Sequence, residues 1–355
     1  MAQIVMMLSE NVDYQNELGL VSSQVPVDAL KGSSVLITGA SGLIGSAIVD
    51  LLLHLNRVHD AQIDIVAVGR SLEKLVRRFG ECDFLRFASY KDVLGGAVVN
   101  DCSHFVLTAS PASPEIYVND PDSVIKANTD DIRSIITGIR HPIGKSLVYI
   151  SSSEVYGNLV APACGYGEDE FGMIDESSRR SCYALSKRKA EQMCRNFASE
   201  LGLRVMIVRP GHVYGPTATR SDRRVSSAWA YDVAVGRNIV MKSDGRQLRS
   251  YVHCLDCAAA VLVVLCRGKS CEAYNISNRN SVITIHEMAE FLVKAGGVQL
   301  RMELPSDVDR QAFNPMSNSS LDSRKLEALG WEGVIDAETG FTKTVQIIRA
   351  IGENR

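Results

Sequence analysis

Val35-Leu-Ile-Thr-Gly39-Ala-Ser-Gly42-Leu-Ile-Gly45 constrains the fold of this chain more than any other stretch. A short apolar run stops at a glycine-rich turn, and residues 46–55 then read as a helix. Gly39 permits a tight turn, while Gly42 and Gly45 let backbone approach a pyrophosphate. That group would sit on exposed N–H groups at the helix N-terminus.

Beyond the turn the chain repeats this alternation. Short apolar runs at 63–68, 85–87, 105–107, 147–150 and 205–208 read as strands, and helical patterns cover 73–79, 130–139 and 183–201. Near-continuous apolar strands separated by helices indicate a parallel sheet covered on both faces. The fold class is therefore α/β, a Rossmann-type doubly wound parallel sheet. Beyond Arg209 the pattern loosens into a loop-rich stretch over 217–224, helices over 225–235, 256–265 and 285–295, and strands over 238–241 and 274–276. Three regions are expected: an extension over 1–31, a dinucleotide-binding domain over 32–208, and a smaller mixed α/β C-terminal domain over 209–355, mainly for substrate. Elements near 236–265 are expected to return to the first domain. A chain of 355 residues buries a core of that size.

Bulk properties narrow the partners. The formal charge of −3, with both signs interspersed, gives no nucleic-acid footprint. Nine cysteines at irregular spacing suit a reducing cytoplasm. Cys254 and Cys257 form a lone Cys-x-x-Cys with no second pair, and read as small apolar residues on a helix, not a metal site. The first thirty residues hold no Lys or Arg, and the apolar run Ile4-Val-Met-Met-Leu8 is too short for a signal peptide or a membrane span. The extension is read as a helix laid on the main domain.

Tyr183 and Lys187 lie four apart in a helical stretch, on one face. An ammonium there would lower the phenol pKa from its usual value of about 10, so that Tyr183 could take a proton from a hydroxyl near neutral pH. Ser152, Ser153 and Glu154 end the strand over 147–150 and emerge at the carboxyl edge of the sheet, where open α/β sheets bind ligands. The second strand ends Gly69-Arg70 where an acid would usually meet the ribose 2′-hydroxyl; Arg70 suits a 2′-phosphate or stacking on adenine. Arg224 and Arg249 suit a diphosphate, because guanidinium donors match phosphate oxygens in pairs.

The glycine turn, Tyr149-Ile-Ser-Ser-Ser-Glu154-Val-Tyr-Gly157 and Tyr183-x-x-x-Lys187, in that order, resemble the extended short-chain dehydrogenase/reductase family, which acts on nucleotide sugars. Thr108-Ala-Ser-Pro-Ala-Ser-Pro114 with Tyr117, and Ser153-Glu154, narrow the resemblance to its UDP-glucuronate decarboxylases. The resemblance implies bound NAD, with NADP left open, a nucleotide-diphosphate sugar as substrate, and a homodimer built on the helices over 130–139 and 183–201. It implies catalysis by Ser152, Glu154, Tyr183 and Lys187, and cofactor contacts from Gly39, Ser41, Gly42, Leu43, Ile44, Gly45, Arg70, Ala109, Tyr183 and Lys187. Substrate contacts would come from Ser110, Pro111, Ser153, His212, Arg224 and Arg249. A 4,6-dehydratase of this family would show Asp where Ser153 stands, and serine is a poor acid for a departing hydroxyl. His212 replaces a usual asparagine, and Ala184-Leu185 replaces the acidic pair that commonly follows the tyrosine. A 4-epimerase, a 4,6-dehydratase, a net reductase and a non-catalytic nucleotide-sugar sensor remain alternatives.

Overall fold

The computed structural model describes residues 7–96, 98–159, 165–306 and 316–352; Ile4, Val5 and Met6 of the apolar run and Cys164 lie outside them. Helix α1 (Val12–Ser22) precedes a regular alternation: β1 (Ser34–Thr38), α2 (Leu43–His59), β2 (Asp64–Gly69), α3 (Leu72–Phe79), β3 (Leu85–Ser89), α4 (Tyr90–Leu94) and β4 (His104–Leu107). Three short helices come next, α5 (Pro114–Asn119), α6 (Pro121–Asn128) and α7 (Asp130–Thr137). Then come β5 (Ser146–Ile150), α8 (Cys182–Leu201) and β6 (Arg204–Pro210).

The chain leaves the sheet through β7 (His212–Tyr214), α9 (Val225–Ala234), β8 (Ile239–Met241) and β9 (Leu248–His253). It returns through α10 (Cys254–Arg267) and β10 (Ala273–Ile276), so the returning stretch is 254–276. β11 (Val282–Thr284), α11 (Ile285–Gly296), β12 (Leu300–Met302), β13 (Asn318–Ser319), α12 (Arg324–Glu327) and α13 (Ala337–Ile351) complete the described fold.

The large sheet has the order β10-β6-β5-β4-β1-β2-β3. Every neighbouring pair is parallel. Its central strands are mostly apolar because both faces are covered. Val35 and Ile37 pack with α2 and α10, whereas Leu36 between them packs with Ile132, Ile135 and Phe197 of α7 and α8. The strand order reverses between β1 and β4, and in open α/β sheets the crevice at the carboxyl edge lies at such a point. β9 anchors a smaller sheet, pairing with β7, β11 and β13 at the side of that crevice. The extension forms α1 and lies on α2 and α10, with the Tyr14 hydroxyl donating to Asp50 at 2.6 Å. Cys254 and Cys257 are buried, free thiols of α10.

Candidate functional site

At the end of β1, Gly39 takes φ +67°, and a Cβ there would meet Thr108 Oγ1 at 2.7 Å and Ala109 Cα at 3.0 Å. Thr38 Oγ1 accepts from the Thr108 and Ala109 amides at 3.1 and 3.2 Å, which ties the two strand ends together. Gly42 is the N-cap of α2, and the helix has no side-chain cap. Its first N–H groups, on Leu43, Ile44 and Gly45, are therefore left for a ligand. A Cβ on Gly42 would meet only the Gly39 carbonyl, at 3.2 Å, and would otherwise project into the open cradle. Gly45 also has a role within the turn. A Cβ there would lie 2.3 Å from the Gly39 carbonyl oxygen, so this glycine seats α2 on its own turn. The uncapped N-terminus and the space beside Gly42 fit a dinucleotide pyrophosphate. Ser41 borders the cradle from the turn, and Arg70 stands exposed just past the end of β2, where its charge reaches Tyr90.

Tyr183 opens α8 and is 8% exposed; Lys187, one turn on, is 3% exposed. Lys187 Nζ donates to the Ile150 carbonyl at 2.7 Å, at the end of β5, and lies 5.8 Å from the centre of the Tyr183 ring. Burial pulls the Lys187 pKa down to about 7. The expected lowering of Tyr183 is reversed. Burial, and after it the Glu154 carboxylate, push the phenol up to about 12, against hydrogen bonds with Ser152 and Tyr117 and the charge of Arg224. The four-residue spacing is correct, but the ammonium is spent on a backbone carbonyl. The Tyr117 ring lies flat on Tyr183, 4.4 Å between centres and 10° between planes.

The turn after β5 begins at Ser153 as a 3₁₀ segment, Ser153–Tyr156, capped by Ser152, whose Oγ accepts from the Glu154 amide at 3.2 Å. That turn breaks strand alternation and sets Glu154 apart from Ser152. Glu154 accepts two parallel bonds from Arg180, each at 3.0 Å. Ser153 is buried beneath the turn.

Arg249, on β9, is 3% exposed, and among the described residues its one side-chain hydrogen bond is to the Leu248 carbonyl at 3.0 Å. Among the described residues it has no ion pair, and burial lowers its pKa. Arg224 is gripped by Asp222 in a chelating pair. His212, on β7, has its Nδ1 sealed from solvent without a partner among the described residues. Burial, and then Arg249, Arg224 and Arg180, push its pKa down to about 3, so the ring is neutral. Ser110 and Pro111 lie half-buried in the loop after β4, with Ser110 Oγ donating to the Pro111 carbonyl at 3.2 Å.

Tyr183, Glu154, His212, Arg224 and Arg249 thus lie within electrostatic reach of one another, with Ser152 hydrogen-bonded to Tyr183. Two members escaped the sequence reading. Arg180 sits in a paired-arginine run that looks like solvated surface, and Tyr117 stood only within a motif string. Neither carries a signal of its own without its distant partner.

Residues 35–277 match the NAD dependent epimerase/dehydratase family. The chain belongs to that family. UDP-glucuronic acid decarboxylase 1 of Xenopus tropicalis is 28% identical over 323 residues, covering 89% of this chain and 72% of that protein. UDP-glucuronic acid decarboxylase 3 of Arabidopsis thaliana is 27% identical over 308 residues, covering 86% of each. Among solved structures, a dTDP-glucose 4,6-dehydratase of Streptomyces venezuelae with NAD bound superimposes with TM-score 0.74 at 22% identity, over 91% of this chain and 98% of that one. A UDP-glucose 4-epimerase of Thermotoga maritima with UDP-glucose gives TM-score 0.72 at 22% identity, over 89% and 98%. At such identities the likeness speaks for the fold, and it bears out the doubly wound architecture.

Proposed function

We propose that this enzyme decarboxylates a nucleotide-linked uronic acid, best UDP-glucuronate, through transient oxidation at C4. The observation that carries the reading is Arg249, a buried cation without an ion-pair partner among the described residues, within electrostatic reach of Glu154. A sugar carboxylate supplies the anion that such a group lacks. The names of the relatives support the same substrate.

Residues 32–208 would hold the cofactor and 209–355 most of the sugar nucleotide, with Gly39, Ser41, Gly42 and the N–H groups of Leu43 to Gly45 around the pyrophosphate. NAD bound there supplies the acceptor that takes the C4 hydride and later gives it back. Tyr183 accepts the C4 hydroxyl proton, while Ser152 shares that proton and Lys187 holds the end of β5 beneath it. Once C4 is a ketone, the C5 carboxylate is a β-keto acid. The bond from C5 to the carboxylate carbon breaks, its electron pair enters the enolate, and carbon dioxide leaves. Glu154 relays to C5 a proton from solvent in its place, and Tyr183 returns its own proton to the C4 oxygen when the ketone is reduced. Because the hydride is returned, nothing favours the reducing NADP pool, and NAD is the preferred cofactor despite Arg70.

Arg224 would meet the diphosphate, with Ser110, Pro111 and His212 lining the sugar side. A homodimer through α7 and α8 would leave the cleft open, and sedimentation would report it. The eight described cysteines are all free, which supports a reducing, cytoplasmic setting. A 4-epimerase is the second reading, because it shares every group up to the ketone. Mass spectrometry of the protein with a panel of nucleotide sugars decides between them. Loss of about 44 mass units supports decarboxylation; loss of about 18, or an unchanged mass, moves the reading to dehydration or epimerisation.

A further inference from the structure

Arg180 stands in the 3₁₀ turn Arg179–Ser181 that leads into α8, three residues before Tyr183. Its Nη1 and Nη2 donate to Glu154 Oε2 and Oε1, both at 3.0 Å. The pair therefore pins the turn after β5 to the turn before α8. The Arg180 Cζ also lies 6.0 Å from the centre of the Tyr117 ring, which covers Tyr183. On its other side, Arg180 acts electrostatically on His212 and Arg249.

Side-chain exposures of 15% and 21% keep the pair outside the sealed core. Both Nη groups are committed to Glu154, and among the described residues the buried Nε has no acceptor and no second carboxylate competes for the guanidinium. A planar fork that engages both carboxylate oxygens fixes the orientation of the carboxylate as well as its position, which a single ammonium does not.

We propose that Arg180 is a positioning residue: it locks Glu154 in one orientation beside Tyr183, so that the carboxylate faces the carbon protonated after hydride transfer. This rests on the proposed role of Glu154. Arg180 itself touches no reacting atom. It should leave the hydride step alone and govern the steps after it.

The test is a double-mutant cycle of Arg180→Gln and Glu154→Gln, with Arg180→Lys as the conservative variant. It is read on whichever reaction the wild type performs with the nucleotide-sugar panel. Absorbance at 340 nm in a single turnover reports the hydride step, and mass spectrometry reports product; melting temperature and NAD affinity confirm that each variant is folded. Each single Gln variant should cut product formation by about 10–100-fold while the hydride step stays within about threefold. The double variant should fall no more than about threefold below Glu154→Gln, because residues acting as one unit are not additive. Arg180→Lys should recover part of the loss.

Multiplying losses, an equal loss in the hydride step, or no effect of either Gln variant would overturn the proposal. A tenfold rise in KM at unchanged kcat for Arg180→Gln would do so too, by making Arg180 a substrate ligand. Failure of the decarboxylase reading would appear in the wild type's product, and failure of the positioning role in the additivity of the cycle.

Discussion

Replacing Arg249 with methionine separates a cation kept for a ligand from one kept for the fold. Arg249 is 3% exposed and, among the described residues, its side chain is satisfied only by the Leu248 carbonyl at 3.0 Å. A buried polar group left unsatisfied costs about 1–3 kcal/mol, and more when charged. The nearby Glu154 charge offsets part of that. Methionine keeps most of the methylene packing and removes the charge, so the ligand-free variant should gain about 1–2 kcal/mol. Unfolding entropy of about 2.1 cal/mol/K per residue over 355 residues gives roughly 0.7 kcal/mol/K, so Tm should rise by about 1–3 °C. Wild type in UDP-glucuronate at about 100 times Kd should gain about 2.7 kcal/mol, roughly 4 °C, and the variant should lose that shift together with turnover. Differential scanning fluorimetry with and without the nucleotide sugar measures both. A variant that melts lower than wild type and keeps the ligand shift would make Arg249 a structural cation and refute the reasoning.

Tyr183→Phe should lower turnover by about 10²–10⁴-fold with NAD affinity nearly unchanged by calorimetry, and activity within threefold of wild type would remove the phenol from the chemistry. Gly42→Val should abolish NAD binding in a fluorescence titration, since the new side chain would stand over the uncapped N-terminus of α2; unchanged affinity would contradict the cradle. Glu17, on α1, has both carboxyl oxygens buried without hydrogen bonds among the described residues, and burial raises its pKa from 4.5 to about 8. The folded protein then binds more protons than the unfolded chain between those values, so the contribution is full below pH 4.5 and is lost as pH rises through about 8. Glu17→Gln should therefore match wild type at low pH and become relatively more stable with rising pH, by up to about 1.4 kcal/mol per unit within that window. Chemical denaturation at pH 5, 7 and 9 checks this, and a pH-independent difference would contradict it.

The parts of the fold readable from sequence are those buried on both faces. β1, β2 and β4 to β6 are continuous apolar runs because helices cover the sheet on each side, and the Gly39 turn marks where the first of them ends. The smaller sheet escapes because β7 and β11 are three residues each, too short to show alternation. α5 and α6 are masked by Pro114 and Pro121, which sit in their first turns, where proline is tolerated. At the site, Tyr183, Lys187 and Ser152 travel in motifs of local spacing. The clamp on Glu154 does not, because its partner is 26 positions away and is brought near only when β5 and α8 pack. Spacing also puts Lys187 one turn from Tyr183 without saying where the ammonium points, and the Ile150 carbonyl that takes it lies in another element. The sign of the Tyr183 shift was therefore not legible.

The most direct test of transient C4 oxidation with decarboxylation is turnover of UDP-glucuronate in deuterium oxide, with mass spectrometry and proton NMR of the product. The hydride returned to C4 comes from the substrate itself, and the hydrogen that replaces carbon dioxide at C5 comes from solvent. The account predicts a UDP-pentose with one deuterium at C5 and protium at C4. A product that keeps its carboxylate, or one with deuterium at C4, would contradict it.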